Sequence, residues 1–165
     1  MRTKYATRVV LLDGEGRVAV VNVRKYGYYK IPGGGVEEGE GLEESAKREV
    51  LEEAGCECEI IGSLGRKETD VPGWDLHDVS DGFVAKVVGE KKPPHFDDYE
   101  EERGFSLEWH DSLDAAISTM GSNSVSDPDA AALQLRDLVY LKLAKEYLDN
   151  QVRRADIDFQ EHSSL

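Results

Sequence analysis

Gly34-Gly35-Val36-Glu37-Glu38-Gly39-Glu40, seven further residues, then Arg48-Glu49-Val50-Leu51-Glu52-Glu53-Ala54-Gly55-Cys56 join a glycine-rich approach to an acidic segment. The second half of this stretch is written as a helix. Leu42, Ala46, Val50, Leu51 and Ala54 recur at spacings of three and four, the period of a half-buried helix. Gly55 follows the last turn, where a C-terminal glycine is favoured. On this reading the apolar stripe faces a core, and Glu49, Glu52 and Glu53 face elsewhere. These carboxylates stand at i, i+3 and i+4, on one helix face with Cβ atoms about 5–6 Å apart. Like charges that close destabilise a helix unless something gathers them. A hard divalent cation such as Mg²⁺ or Mn²⁺ does so, because it prefers oxygen ligands. The glycines at 33, 34, 35, 39 and 41 make a tightly turning approach. Such a loop lets backbone come close to a ligand or metal.

Outward from this centre the chain alternates between strand and helix patterns. Tyr5 to Leu12 and Arg17 to Val23 read as strands joined by the turn Asp13-Gly14-Glu15-Gly16. Tyr28 to Ile31 is a short extended piece stopped by Pro32. After the helix, Glu57 to Thr69 predicts a long bent strand, Leu76 to Val88 another, and Phe105 to Trp109 a third. Gly89 to Asp98 reads as a surface loop. Asp111 or Ser112 caps a short helix through Met120, and Asp127 with Pro128 opens a long one. Beyond Asn150 the chain is polar and aperiodic, and Glu161 to Leu165 look frayed. This order predicts a mixed α/β layer structure.

At 165 residues the chain fits one domain. We expect that domain over residues 1–150 and a polar C-terminal tail over 151–165. With 34 acidic and 20 basic residues the net charge is −14. That argues against nucleic acid or an anionic membrane as partner. A small phosphorylated ligand stays open, because a bound metal reverses the local sign. No secretory leader or membrane-spanning run is legible, so a cytoplasmic location is expected. Cys56 and Cys58 read as two reduced thiols near a strand start.

The quoted stretch resembles the signature of the Nudix hydrolase family, G-x5-E-x7-R-E-U-x-E-E-x-G-U, with U a bulky apolar residue. Gly34, Glu40, Arg48, Glu49, Val50, Glu52, Glu53 and Gly55 match at every spacing, and Cys56 takes the last apolar place. The resemblance implies an α/β/α sandwich around a mixed sheet. It implies metal-dependent hydrolysis of a diphosphate linkage in a nucleoside diphosphate derivative, by water attack on phosphorus. It implies Mg²⁺ or Mn²⁺ on Glu49, Glu52, Glu53 and the Gly34 carbonyl, with Glu52 or Glu53 also orienting or deprotonating the water. Arg48 and Glu40 would lock loop to helix. A further carboxylate would come from the run before Gly104, with Glu102 first choice and Glu101 second. Sequence after the helix looks like bacterial members labelled as pyrophosphatases of oxidised nucleotides or nucleoside triphosphates. The family also leaves a homodimer open.

Substrate contacts are read from residue type and place. Lys30, two residues before the glycines, suits a phosphate, as do Arg24, Arg66 and Lys67. Tyr26, Tyr28, Tyr29, Trp74 and Phe83 are candidates to stack on a base. His77 and His110 lack metal-ligand spacing. Two other classes are kept: a catalytically silent sensor of a nucleotide or nucleotide sugar, and an isoprenoid diphosphate isomerase, for which Cys56 and Cys58 are poorly placed.

Overall fold

The computed structural model describes residues 1–163. Seven strands form one mixed sheet: β1 (Arg2–Leu12), β2 (Val18–Val23), β3 (Tyr28–Lys30), β4 (Gly33–Gly35), β5 (Glu57–Val71), β6 (Leu76–Val88) and β7 (Phe105–His110). Four helices accompany them: α1 (Leu42–Ala54), α2 (Asp98–Glu102), α3 (Leu113–Ser122) and α4 (Pro128–Ser163).

The central path runs β3-β2-β1-β6-β5, with β4 on β1 and β7 on β2. β1 and β6 are parallel, in register from Arg2↔Leu76 to Leu12↔Lys86. The remaining pairs are antiparallel. One edge of β1 is shared: Ala6 to Arg8 face β4, and Leu12 meets Val18 of β2. The sheet forks between those contacts.

Alternation along β1 distributes the core. Val9 and Leu11 join Ala46, Val50, Ala54, Phe83 and Ala85 beneath α1. Val10, with Val18, Val20 and Val84, packs under α3 and α4 against Met120, Tyr140 and Leu141. Two helical layers thus enclose the sheet, the expected sandwich. Each fully buried Val or Leu contributes roughly 1.5–3 kcal/mol by leaving water. The two cysteines are free and buried in the α1 layer, so Cys56 serves as the apolar residue of its position. Burial pushes both thiols up, Cys58 to about 11.

Caps fall where side chains could supply them. Ser112 Oγ accepts from Ala115 N at 3.0 Å, and Asp127 Oδ1 accepts from the amides of Asp129 and Ala130 at 2.9 Å. Gly55 ends α1 at φ 68°, a left-handed conformation that favours glycine.

Several expectations differ from what is observed. The glycine approach contains β4, and the acidic run before Gly104 lies in α2, held by a capping box between Asp97 and Glu100. α4 does not end near Asn150 but continues to Ser163, exposed from residue 149 onward. Of the expected frayed end, Glu161 to Ser163 are helical and residues 164 and 165 lie outside the described residues. On α1, Leu42 and Leu51 are exposed while Glu49 and Glu53 are buried. The acidic face therefore turns inward over the end of the sheet. No helix among the described residues is long and apolar enough to cross a membrane.

Candidate active site

A cavity of about 1010 Å³ opens where α1 crosses the glycine strand and β1. Its acidic wall carries Glu49 and Glu52 of α1 and Glu100 of α2. Its other walls carry Lys4 and Arg8 of β1, Arg136 of α4, and Trp74, Arg103 and Phe105.

Gly34 sets the distance between strand and helix. A Cβ there would stand 2.5 Å from Glu49 Oε1 and 2.8 Å from Oε2. Only glycine lets this carboxylate lie against the backbone. Burial pushes the Glu49 carboxyl up, and the negative Glu53 beside it adds to the effect.

Arg48 ties loop to helix. Its Nε donates to Glu40 at 2.7 Å, and its terminal nitrogens donate to Glu40 at 2.9 Å, the Gly35 carbonyl at 2.9 Å and Glu49 at 3.0 Å. A longer bond reaches Glu52 at 3.4 Å. These charge-assisted bonds outweigh burial and hold Glu40 down to about 2.

Glu53 is fully buried and ion-paired. Lys30 Nζ donates to its two oxygens at 2.8 and 2.9 Å, and Gly33 N donates to Oε1 at 2.8 Å. The third ammonium proton goes to the Gly33 carbonyl at 2.9 Å. An ammonium has three donors, so Lys30 has none left for the phosphate that its position suggested. The reason is proximity: the short β3 points Lys30 at α1, where Glu53 needs a counter-charge.

Behind this wall lies a buried cluster that local sequence does not reveal. Asp78 Oδ1 accepts from Arg136 at 3.1 Å and from Ser80 Oγ. Arg136 Nε donates to Asp137 Oδ1 at 2.7 Å, and Asp137 Oδ2 accepts from Ile31 N at 2.9 Å. Burial works to raise Asp78, but Arg8 and Arg136 outweigh it and hold the carboxyl below its usual range.

The acidic run before Gly104 delivers a different member from the one expected. Glu102 is exposed and paired with Lys25 at 3.1 Å, and Glu101 is exposed. Glu100 lines the cavity instead. Burial, followed by its hydrogen bond to Glu53 and the charge of Glu53, raises its carboxyl to about 8 despite the bond from Asp97 N. The helical turn of α2 rotates one carboxylate inward and leaves its neighbours in solvent.

Other expected contacts separate likewise. Tyr28 lines the cavity, nearly buried, and burial raises its hydroxyl to about 12. Trp74 lines it too, its ring tilted at 51° to that of Tyr26 with centroids 5.2 Å apart. Phe83 lies in the α1 core and does not reach the cavity. Arg66 is exposed and bound to Asp81 at 2.9 Å on the β5–β6 ribbon. His77 pairs with Asp70 and Glu68, and His110 with Glu108.

The acidic wall suits a hard cation chemically. Its donors are carboxylate oxygens, Glu49 is destabilised by a like charge, and Gly34 leaves room at the backbone. As they stand, though, no group of three or more His, Cys, Asp or Glu among the described residues is gathered closely enough to hold an ion. Glu53 is turned to Lys30 and Gly33, so the expected trio of Glu49, Glu52 and Glu53 is not assembled.

A family model described as NUDIX domain matches residues 2–124. An RNA pyrophosphohydrolase of Novosphingobium aromaticivorans is 29% identical over 84 residues, which cover 49% of this chain and 50% of that protein. The match thus spans about half the length of that curated relative. Among solved structures, a NUDIX hydrolase from Nitrosomonas europaea superposes with TM-score 0.63 at 17% identity, covering 90% of each chain. A MutT protein from Methanosarcina mazei Go1 gives 0.60 at 19% identity, covering 88% of this chain and 95% of that one. These structural likenesses concern the fold.

Proposed function

The chain belongs to the NUDIX family, and from that premise we propose that it is a divalent-metal-dependent pyrophosphohydrolase. Its substrate is a nucleoside diphosphate derivative, such as a nucleoside triphosphate or its oxidised form, cleaved by water attack on phosphorus. The observation that carries this reading is the acidic wall: Glu49 laid on Gly34, with Glu52 and Glu100 lining the same cavity, which is large enough for a nucleotide.

Glu49, Glu52 and the Gly34 carbonyl would hold Mg²⁺ or Mn²⁺, joined by Glu53 once it leaves Lys30. The ion, when bound, polarises a phosphoryl oxygen and lowers the pKa of water. Arg48 keeps the two α1 carboxylates and the glycine strand in fixed relation through its bonds to Glu40, Gly35 and Glu49. Glu52 and Glu100 border the open cavity; Glu52 would take a proton from the attacking water, and Glu100 could do so once a nearby cation favours its ionised form. Trp74 offers a ring to a base at the cavity wall.

One observation favours a second reading. The Lys30–Glu53 pair neutralises a carboxylate that metal binding would use, which suits a silent nucleotide sensor. A panel of nucleoside diphosphate derivatives with Mg²⁺, resolving phosphate from pyrophosphate products, separates the two. Cleavage supports the hydrolase. Saturable binding without cleavage across the panel supports the sensor.

A further inference from the structure

We propose that Arg8 is an anion anchor of this cavity, its guanidinium taking a non-bridging phosphate oxygen of the bound diphosphate from the β1 wall. The assignment rests on reading the cavity as a phosphoanhydride site.

Arg8 is only 6% exposed and lines the cavity. Its Nε is buried without a hydrogen-bond partner, the sole such side-chain atom found among the described residues. The carboxylate paired with it, Asp78, stands 3.7 Å from Nη2, beyond hydrogen-bond reach. The other oxygen of Asp78 is already taken by Arg136 and Ser80. Within the cluster, Arg8 and Arg136 balance Asp78 and Asp137 in charge. Arg8 is therefore held as a cation with hydrogen-bonding capacity unspent. Two neighbouring cations differ: Lys30 has spent all three donors, and Arg48 is committed to Glu40, Gly35 and Glu49.

Position supports the same role. Arg8 pairs in register with Gly33, and its Cδ lies 3.0 Å from where a Gly33 Cβ would be. The Gly33 amide binds Glu53, and the next residue, Gly34, carries Glu49 against it. A phosphate resting on the acidic wall is thus within a side chain's length of Arg8. A guanidinium fork matches phosphate oxygens bidentately. In a chain of net charge −14, an anionic ligand needs such a local cation to enter.

The test uses inorganic pyrophosphate and metal-free ¹⁵N-labelled protein in EDTA. The Arg8 Nε–H resonance, assigned through its side-chain correlations to the Arg8 backbone amide, should shift and saturate as pyrophosphate is added. A resonance that stays put overturns the anchor, and this readout needs no folded variant. In parallel, Arg8→Met should weaken pyrophosphate binding about tenfold or more, with Arg8→Lys recovering part of the loss. Equal binding by wild type and a folded Arg8→Met also overturns it. A shift on pyrophosphate in a protein that cleaves no anhydride keeps the anchor and removes the hydrolase reading. Cleavage with an unmoved Arg8 does the reverse.

Discussion

Lys30→Met is the perturbation whose outcome follows most directly from the packing. The Lys30 side chain is 6% exposed and its Glu53 partner 1%, with the two contacts at 2.8 and 2.9 Å. Methionine keeps most of the volume and removes the charge. Glu53 would retain the Gly33 amide and its hydrogen bond with Glu100. Breaking a buried pair by removing one partner costs roughly 3–5 kcal/mol. For a chain of this length that lowers the thermal midpoint by about 6–20 °C, at some 2–4 °C per kcal/mol. Lys30→Met/Glu53→Leu removes both charges and should recover most of the loss. Urea unfolding followed by circular dichroism measures all three proteins. A loss below about 1 kcal/mol for the single variant, or a double variant no more stable than the single, would refute the reasoning. It also follows that Glu53→Gln is not a neutral probe of catalysis, because it strands Lys30.

Glu40 is held down to about 2 by Arg48, below an unfolded value of about 4.3. Its contribution is therefore complete above about pH 4.5 and is lost as pH falls toward 2; Glu40→Gln should flatten that limb of the stability–pH curve, and an unchanged limb would contradict the assignment. In metal-free protein the Glu100 carboxyl ¹³C resonance should titrate near 8, and Mg²⁺ should move that midpoint down, since a nearby cation favours the ionised form; a midpoint near 4 without metal would be inconsistent with this geometry. Gly82→Ala places a Cβ 2.2 Å from Tyr140 Cε1, and Tyr140 is fully buried with its hydroxyl donating to the Ser80 carbonyl at 2.8 Å. We expect a loss of about 1–3 kcal/mol from overpacking, and wild-type stability in urea would show that the α4 layer yields freely.

What could be read in advance was whatever repeats or caps locally. α1 follows from its apolar spacing and its terminal glycine, and its bounds Leu42–Ala54 agree with that reading. Ser112 and Asp127 announced α3 and α4 because an N-cap acts over three residues. β4 was illegible because three glycines carry no side-chain pattern. Spacing placed Glu49, Glu52 and Glu53 on one face but could not tell that this face is turned inward, since that depends on how α1 lies over β4. The Arg8–Asp78–Arg136 cluster was further out of reach. Its members are brought together by the parallel register of β1 on β6 and by α4 packing back across the sheet, and no local rule links positions so far apart. Glu100 in place of Glu102 has the same kind of cause: a five-residue helix decides which carboxylate faces the cavity.

The decisive measurement is the rate of phosphoanhydride cleavage with and without Mg²⁺, in wild type and in Glu52→Gln. Glu52 is half-exposed, with a single long bond from Arg48, so its loss should leave the thermal midpoint within about 2 °C, as for an ordinary surface change. We expect cleavage that requires the metal and falls about 10²-fold or more in the variant. Metal-independent cleavage, or a stable Glu52→Gln that turns over at the wild-type rate, would contradict the proposed metal-dependent chemistry.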